Sequence, residues 1–315
     1  MEIVFLERNS VGEDVDLSAY DSLGEVKQYS LSKPEEIGDK IDNADVIVVN
    51  KMPMNEKTLD RAKQVKLICV TATGTNNLDK AYLEKRKIAW RNAEGYSTES
   101  VAQHTFAMLF YLLEKLSYYD SYVKSGDYIK SSSFTHMGRP FYQLSGMTWG
   151  VIGLGQIGRR VAGLAKAFGC KVLYYSTSGA HDDPDYTRVS FEELLKTSDI
   201  VSVHAPLNEH TDSLMNKAAF SKMKESAIFI NVGRGPIVVE EDLADALKSQ
   251  EIAAAGLDVL CEEPMSADSP FTDIMDSTRL IITPHIAWAA GDARYRLVQI
   301  IYEEMKEFIE HYKED

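Results

Sequence analysis

The apolar residues in the first third of the chain fall into short unbroken runs separated by polar stretches. Such runs are typical of strands in a parallel sheet, because both faces of each strand are covered. They predict strands at residues 3–6, 46–49, 67–70 and 88–90. A helix is predicted over residues 34–41, with Ser32 and Glu35 placed as a capping box. A second helix is predicted up to Ala62, with Asn55 as its N-cap.

The rest of the chain continues the alternation of helices and strands. Over residues 98–123 the apolar side chains recur at helical spacing, which predicts one long helix. Six apolar runs predict strands at residues 148–152, 171–175, 200–206, 227–232, 253–259 and 280–283. Ser190 and Glu193 predict the cap of a short helix, and further helices are predicted over residues 240–248 and 292–312. Six strands with helices between them predict a doubly wound parallel sheet.

A glycine motif, G-L-G-Q-I-G at residues 153–158, lies between the first of these six strands and a helix. This spacing in a strand–turn–helix context predicts a dinucleotide site. Gly153 allows the tight turn, Gly155 lets the backbone approach a pyrophosphate, and Gly158 lets the helix pack on the strand. The N–H groups that open the helix, at Gln156 and Ile157, are expected to face the phosphates.

These patterns together predict an α/β fold with two domains. Residues 99–288 are predicted to form a Rossmann-type dinucleotide-binding domain, built on the doubly wound sheet that carries the glycine motif. This domain is inserted into a second, flavodoxin-like α/β domain formed by residues 1–98 and 289–315. The last helix is assigned to that second domain because chain termini tend to lie together. A chain of 315 residues is long enough for both domains to have a core.

Composition and charge narrow the class of protein. The formal net charge of −14 argues against a nucleic-acid or acidic-membrane partner, because both need clustered Lys and Arg. Cys69, Cys170 and Cys261 have no metal-ligand spacing, so neither a zinc site nor a disulfide framework is predicted. Residues 1–8 predict a short strand rather than a signal sequence, and no apolar run reaches transmembrane length. A cytoplasmic location is expected.

Polar side chains follow three of the predicted strands. Arg234 comes after the strand at 227–232, Asp258 and Glu263 follow Leu257, and His285 follows Thr283. Ligands of doubly wound sheets bind outside the carboxyl ends of the strands. An arginine, two carboxylates and a histidine are therefore expected on one rim, beside the dinucleotide.

Several segments resemble the D-isomer-specific 2-hydroxyacid dehydrogenases, and the resemblance covers the whole chain. They are Asn-Val-Gly-Arg-Gly at 231–235, Gly-Leu-Asp-Val at 256–259 with Glu-Pro at 263–264, and Thr-Pro-His-Ile-Ala-Trp at 283–288. Residues 71–79 resemble the substrate loop of the family. Residues 95–104, together with Ala287 and Trp288, are most similar to the glycerate dehydrogenase (hydroxypyruvate reductase) branch.

The resemblance implies hydride transfer between a nicotinamide dinucleotide and a D-2-hydroxy acid or its 2-oxo acid. His285 would then be the general acid and base, with Glu263 fixing its tautomer. Arg234 would bind the 2-oxo acid and polarise its carbonyl group. Backbone N–H groups of Thr73 and Gly74 would hold the substrate carboxylate. The chemistry needs no metal ion, because the cofactor supplies the hydride.

The choice of cofactor depends on one departure from the family pattern. Ser176 stands where NAD-specific members carry an acidic residue for the ribose hydroxyls. Its uncharged side chain does not repel a 2′-phosphate, yet residues 176–185 contain no Arg or Lys, and Asp182 and Asp183 lie nearby. NAD is therefore favoured, with NADP as a possibility. The other residues expected to contact the cofactor are Ala205, Pro206, Val232, Gly233 and, facing the nicotinamide, Asp258.

The favoured substrate is hydroxypyruvate, or D-glycerate in the reverse direction. Pyruvate and branched-chain 2-oxo acids are the alternatives. Phosphoglycerate is less favoured because the substrate loop has no added basic cluster, and formate because it has no carbonyl group to protonate. A dinucleotide-sensing binding protein is the alternative from another class, since the family includes corepressors that retain much of this site.

Four other side chains are assigned lesser roles. His104 is expected to pack along the long helix or at a subunit interface, and the side chain of His204 is expected to be structural. His181 is predicted at the surface. Cys261 lies between two site residues but is not predicted to be a nucleophile, because hydride transfer needs no covalent step.

A stripe of tyrosines on the long helix predicts a subunit interface. It consists of Tyr118, Tyr119 and Tyr122. A homodimer through this region is what the family resemblance implies.

Overall fold

A computed structural model of the protein describes residues 1–179 and 182–312, so the predicted surface position of His181 lies outside the described residues. The strands are β1 (Glu2–Phe5), β2 (Glu25–Gln28), β3 (Val46–Val49), β4 (Leu67–Val70), β5 (Ala89–Asn92), β6 (Thr148–Ile152), β7 (Lys171–Tyr175), β8 (Thr187–Arg188), β9 (Ile200–Val203), β10 (Ile228–Asn231), β11 (Ala254–Leu257) and β12 (Leu280–Ile282). The α-helices are α1 (Ile37–Ile41), α2 (Lys80–Lys85), α3 (Thr98–Leu113), α4 (Leu116–Lys124), α5 (Gln156–Ala167), α6 (Phe191–Thr197), α7 (Lys217–Phe220), α8 (Glu240–Lys248) and α9 (Gly291–Tyr312). Short 3₁₀ helices occur at Arg8–Val11, Ser18–Ser22, Tyr128–Lys130, Gly235–Ile237 and Thr272–Ile274.

The chain divides into two compact units, each with its own parallel sheet. The first unit comprises Met1–Ser97 and Ala289–Asp315, and the second comprises Thr98–Trp288. None of the described helices is both long and apolar enough to cross a membrane.

The sheet of the first unit has the strand order β2-β1-β3-β4-β5 with all pairs parallel. This is the flavodoxin-like order, in which β2 is added on one side of β1 and β3, β4 and β5 are added on the other. Side chains alternate between its two faces. Val4 and Ile47 join the core under α1 and α2, whereas Phe5 packs edge-on against Tyr20. Helix α9 covers β4 and β5, and the Tyr20 hydroxyl donates to the Val298 carbonyl at 2.6 Å.

The sheet of the second unit has the order β12-β11-β10-β9-β6-β7-β8, again parallel throughout. Apart from the short edge strand β8, it contains the six strands that the apolar runs predict. Helices α3 and α5 pack on one face around Trp149, whose Nε1 donates to Ser202 Oγ at 2.8 Å. Helices α6 and α8 pack on the other face around Phe229. The predicted α/β fold with a Rossmann-type sheet is confirmed.

Several local predictions also hold. The strands at 46–49, 67–70, 148–152 and 171–175 and the helix at 240–248 have the predicted bounds. Ser190 caps α6, since its hydroxyl accepts a hydrogen bond from Glu193 N at 3.2 Å.

Two predicted helix starts are wrong. Ser32 does not cap a helix, because α1 begins at Ile37 and the Ser32 hydroxyl accepts a hydrogen bond from Lys40 Nζ at 3.0 Å. Asn55 accepts from the N–H groups of Lys57 and Thr58, but only a turn follows, and no helix reaches residue 62. At Asn55 the side-chain hydrogen bonds close a local turn without nucleating a helix.

The predicted long helix over residues 98–123 is broken in two. Helix α3 ends at Leu113 and α4 starts at Leu116. Between them Lys115 has φ 57° and ψ 37°, the left-handed conformation that non-glycine residues rarely adopt. The apolar periodicity continues across the break, which is why the sequence pattern predicts one helix.

Replacing Lys115 with glycine tests for this break, because glycine should stabilise the protein at a left-handed position and destabilise it inside a helix. We expect Lys115→Gly to raise the free energy of unfolding by up to about 1 kcal/mol, because glycine avoids the Cβ clash of the left-handed conformation. In a continuous helix the same change would cost about 1 kcal/mol. The urea unfolding midpoint measures the difference. Lys306→Gly, inside α9, is the matched control and should destabilise by about 1 kcal/mol.

Candidate active site

The glycine loop after β6 has the geometry of a phosphate cradle. Gly153 has φ +89°, and a Cβ there would lie 2.8 Å from the Cα of Ala205. A Cβ on Gly158 would lie 2.1 Å from the Gly153 carbonyl oxygen, so α5 packs directly on the loop. At Gly155 a Cβ would point into open space. The N–H groups of Gln156 and Ile157 open α5, where backbone donors lack partners within the helix.

A cavity of about 260 Å³ lies beside this loop. Of the residues predicted to bind the cofactor, Gly153, Gly155, Ser176 and Pro206 line it. Its lining also includes Asp183, one of the two acidic residues near Ser176, and Arg159, which the sequence motifs do not indicate. Tyr174, Thr177, Ser178 and Asn208 line it as well.

His204 also lines the cavity, and its ring is hydrogen-bonded to a serine of the core. Nε2 lies 2.9 Å from Ser202 Oγ, the same hydroxyl that accepts from Trp149. Among the described residues Nδ1 of His204 is buried without a hydrogen-bond partner. Burial lowers the pKa of His204 to about 3, so the ring is neutral at physiological pH. An open glycine, a helix N-terminus and a neutral ring nitrogen in one cavity fit a dinucleotide.

The other predicted cofactor residues lie at the ends of β9 and β10. Ala205 contacts Gly153, and a Cβ on Gly233 would lie 3.1 Å from the Ala205 carbonyl oxygen. Gly233 N donates to the Asn231 side chain at 3.0 Å, which fixes the loop that follows β10. Val232 is buried beside it.

His285 and Glu263 are joined by a hydrogen bond. His285 Nδ1 lies 2.7 Å from Glu263 Oε2, and the other carboxylate oxygen, Oε1, accepts from Leu260 N at 3.0 Å. An ionised carboxylate can only accept, so Nδ1 carries the proton and donates it to the bond. The imidazole and carboxyl side chains are 22% and 34% exposed. This arrangement fixes the ring and leaves Nε2 for exchange of a proton.

The backbone of His285 is held in a strained conformation. Its φ is 55°, and its N–H donates to the carbonyl oxygens of Asp258 and Thr283 at 2.8 and 2.9 Å. Left-handed non-glycine residues persist where the surroundings fix them, and such residues cluster at functional sites.

Asp258 organises the loop that carries His285. Asp258 is 2% exposed, and its carboxylate accepts a hydrogen bond from the Thr283 hydroxyl at 2.6 Å. It also accepts from the backbone N–H groups of Ile286 and Ala287 at 2.9 and 2.8 Å. His104 Nε2 lies 3.0 Å from Thr283 Oγ1 and 3.5 Å from Asp258 Oδ1. The predicted contact of Asp258 with the nicotinamide stays a prediction.

Sequence reasoning missed the involvement of His104 and Thr283 in this network. His104 lies on α3, far along the chain from β12, and only the packing of α3 beside β11 and β12 brings it there. Its helical position indicates packing, as expected, but gives no sign of its partner.

Arg234 follows β10, the strand that pairs with β11. Its guanidinium Nη1 donates to the Gly233 carbonyl at 2.7 Å, and its own carbonyl accepts from Asn231 Nδ2 at 3.0 Å. A Cβ on Gly235 would lie 2.0 Å from the Leu260 carbonyl carbon, so the loop after β10 packs against the loop after β11. Arg234, Glu263 and His285 thus come from three adjacent strand ends.

Thr73 and Gly74 lie in the first unit, in the loop that follows β4. The Thr73 hydroxyl donates to the Ala93 carbonyl at 3.0 Å, and the Thr73 carbonyl accepts from Asn92 Nδ2 at 2.8 Å. The loop is therefore tied to the end of β5.

Two other chemistries find no support at this site. Packing around its sulfur and the neighbouring Glu240 raise the pKa of Cys261 to about 12, so the thiol stays protonated near neutral pH. Within residues 1–179 and 182–312, no group of three or more His, Cys, Asp or Glu side chains is placed to hold a metal ion.

Comparisons with known proteins point to the 2-hydroxyacid dehydrogenases. The family model for the D-isomer specific 2-hydroxyacid dehydrogenase, NAD binding domain, matches residues 106–287. The chain is 34% identical to a hydroxypyruvate reductase of Blautia hydrogenotrophica, over 98% of this chain and 97% of the relative. It is 35% identical to a glycerate dehydrogenase of Methylorubrum extorquens, over 98% and 96%. The D-lactate dehydrogenase of Aquifex aeolicus, solved with NAD and lactic acid, superposes with a TM-score of 0.85 at 28% identity, over 99% and 96%.

The match to the NAD-binding domain covers the glycine loop, Arg234, Glu263 and His285. The resemblance deduced from the motifs is thereby confirmed, and the cavity beside the glycine loop lies in an NAD-binding domain. The chain belongs to the D-isomer specific 2-hydroxyacid dehydrogenases, NAD(P)-dependent oxidoreductases that act on the CH–OH group of a hydroxy acid.

Proposed function

We propose that this protein reduces hydroxypyruvate to D-glycerate with NADH, and that His285 is its general acid. The observation that carries the assignment is the 2.7 Å hydrogen bond between His285 Nδ1 and Glu263 Oε2. Relatives named hydroxypyruvate reductase and glycerate dehydrogenase, each matched over nearly their full length, support this choice of substrate.

The tautomer of His285 determines which ring nitrogen can give a proton to the substrate. With Nδ1–H donated to Glu263, the ring in its protonated form carries its second proton on Nε2, which can be given to the carbonyl oxygen of the substrate. Glu263 keeps the ring in one orientation. When bound, the dinucleotide supplies the hydride.

Arg234 is assigned to the 2-oxo carboxylate and the adjacent carbonyl group. A guanidinium offers two parallel donors at a fixed spacing, which matches two oxygens of a 2-oxo acid. Its positive charge also stabilises the negative charge that develops on the carbonyl oxygen. The backbone N–H groups of Thr73 and Gly74 are proposed to bind the substrate carboxylate as well. Asp258 is proposed to face the nicotinamide.

Pyruvate is the second candidate substrate. It is favoured by the likeness to the D-lactate dehydrogenase that was solved with lactic acid. Hydroxypyruvate differs from it by a single hydroxyl group, and a hydrophobic pocket discriminates weakly against an added hydroxyl. The two substrates must therefore be compared directly.

We also propose a cytoplasmic homodimer. Apolar side chains between residues 128 and 142 are strongly exposed, with Ile129, Phe134 and Met137 more than four-fifths accessible. A second copy of the chain is the occupant that the family implies for such a patch. The predicted tyrosine stripe is partly occupied within the chain, since Tyr122 stacks on His136 at 3.8 Å. Cys69, Cys170 and Cys261 are free thiols, which suits a reducing compartment.

Steady-state reduction of hydroxypyruvate, pyruvate and 2-oxoisocaproate, each with NADH and NADPH, tests the assignment. We expect the highest kcat/KM for hydroxypyruvate with NADH. Equal use of all three acids would remove the glycerate assignment and leave a general 2-oxo acid reductase. Tight NADH binding without turnover of any acid would indicate a dinucleotide sensor.

Replacing His285 tests the role of the acid. His285→Ala should lower kcat for the best 2-oxo acid by about 10²–10⁴-fold, because general acid catalysis contributes that much. NADH affinity, measured by fluorescence titration, should be unchanged. His210→Ala, on the exposed surface, is the control and should leave both values unaltered. Loss of NADH binding, or unaltered turnover, would contradict the assignment.

Arg234→Lys keeps the charge but removes the planar pair of donors. We expect kcat/KM for the 2-oxo acid to fall by roughly ten- to a hundredfold, the value of a hydrogen bond to a charged group. Arg61→Lys, on the surface of the first unit, is the matched control. A kcat/KM equal to that of the control would argue against the carboxylate clamp.

A further inference from the structure

An ion pair with one buried partner lies at the edge of the cofactor cavity. Asp183 and Arg159 both line this cavity, and the Arg159 guanidinium forms a salt bridge with Oδ2 of Asp183. The Asp183 side chain is 2% exposed, whereas that of Arg159 is 50% exposed. Among the described residues lining the cavity, these two are the only ones that carry a full charge at neutral pH.

The position of Asp183 is fixed from two sides. Its Oδ1 accepts from Asp185 N at 2.9 Å, and its own N–H donates to the Tyr174 hydroxyl at 2.9 Å. Tyr174 lies on β7, the strand whose end is expected to contact the adenosine ribose. The chain therefore returns a carboxylate to the end of β7 seven residues after Ser176.

Ser176 itself is unsuited to discriminate between the two dinucleotides. It carries no charge, and its hydroxyl and carbonyl oxygens accept from Gly179 N at 3.2 and 3.3 Å, which closes a turn. A carboxylate oxygen can accept more than one hydrogen bond, so Asp183 can still receive a bond from a ribose hydroxyl.

We propose that Asp183 selects NADH over NADPH, by accepting from the ribose hydroxyls and repelling a 2′-phosphate, and that it holds Arg159 as a neutralised cation. This proposal rests on the NADH preference in the proposed function. The unequal exposure of Asp183 and Arg159 determines which of the two charges a bound phosphate senses more strongly. Water screens the half-exposed Arg159, but it screens the buried carboxylate far less. A phosphate at this position therefore meets net repulsion.

Removing the negative charge of Asp183 should turn the net repulsion of a 2′-phosphate into attraction by Arg159. Asp183→Asn keeps the size of the side chain and an acceptor for Asp185 N, while it frees Arg159 to pair with a phosphate. We expect the Kd ratio of NADPH to NADH to fall by roughly ten- to a hundredfold, the scale of one charged hydrogen bond. In Asp183→Asn/Arg159→Gln most of that gain should be lost. The ratio is measured by fluorescence titration of the full-length protein without any 2-oxo acid.

Asp182→Asn is the matched control. Asp182 is adjacent in sequence and pairs with Arg188, but its side chain is 82% exposed. It removes the same charge and should leave the ratio unchanged. If Asp183→Asn shifts the ratio no more than this control does, or if the wild-type chain binds NADPH as tightly as NADH, the proposal fails.

If Asp183→Asn does not fold, Arg159→Gln provides a second test. Arg159→Gln keeps Asp183 charged without its partner, so the Kd for NADPH should rise further relative to that for NADH. An unaltered ratio in Arg159→Gln would also overturn the proposal. Because these titrations need no substrate, a chain that turns over no hydroxypyruvate could still show the expected shifts. Failure of the proposed substrate and failure of the proposed selector are thus separate results.

Discussion

The site in the second unit depends on the burial of one carboxylate, that of Asp258. An ionised group removed from water is costly unless donors surround it. Here the donors are the Thr283 hydroxyl and the N–H groups of Ile286 and Ala287, all from the loop that follows β12. The carboxylate can be satisfied only when this loop is folded around it. His285 lies in the middle of that loop, so the cost of burying Asp258 is what fixes the position of the proposed acid.

The strained backbone of His285 follows from the same constraint. A left-handed conformation costs a residue with a Cβ about 1–2 kcal/mol, and hydrogen bonds to charged groups contribute a similar amount each. Several such bonds to Asp258 therefore outweigh the strain. With the backbone fixed, a single bond from Nδ1 to Glu263 is enough to define the ring orientation. Glu263 is in turn tied to Leu260, in the loop that begins at Asp258.

The sequence predicts those parts of this protein whose pattern is local. Unbroken apolar runs predict strands such as β3 and β6, because a strand that is buried on both faces is apolar along its length whichever residues it contacts. The spacing of Gly153, Gly155 and Gly158 predicts the phosphate cradle for the same reason. The break at Lys115 escapes prediction because neither glycine nor proline marks it. The contacts of Thr283 and His104 escape prediction because their partners lie far along the chain. The acidic residues near Ser176 are visible in the sequence, but the ion pair of Asp183 with Arg159 is not, since Arg159 lies on α5.

Two buried carboxylates in one domain are stabilised in different ways, and the difference suits the roles proposed for them. Asp258 is held by backbone and hydroxyl donors from the loop that follows β12, together with a nearby histidine, and such donors cannot move away without unfolding the loop. Asp183 is held partly by the side chain of Arg159, which extends from α5 and is half exposed. A side-chain cation can change rotamer at modest cost, whereas a backbone N–H cannot. A carboxylate fixed by the backbone is suited to hold the loop of the proposed acid still, and one paired with a movable cation is suited to respond to the charge of a ligand.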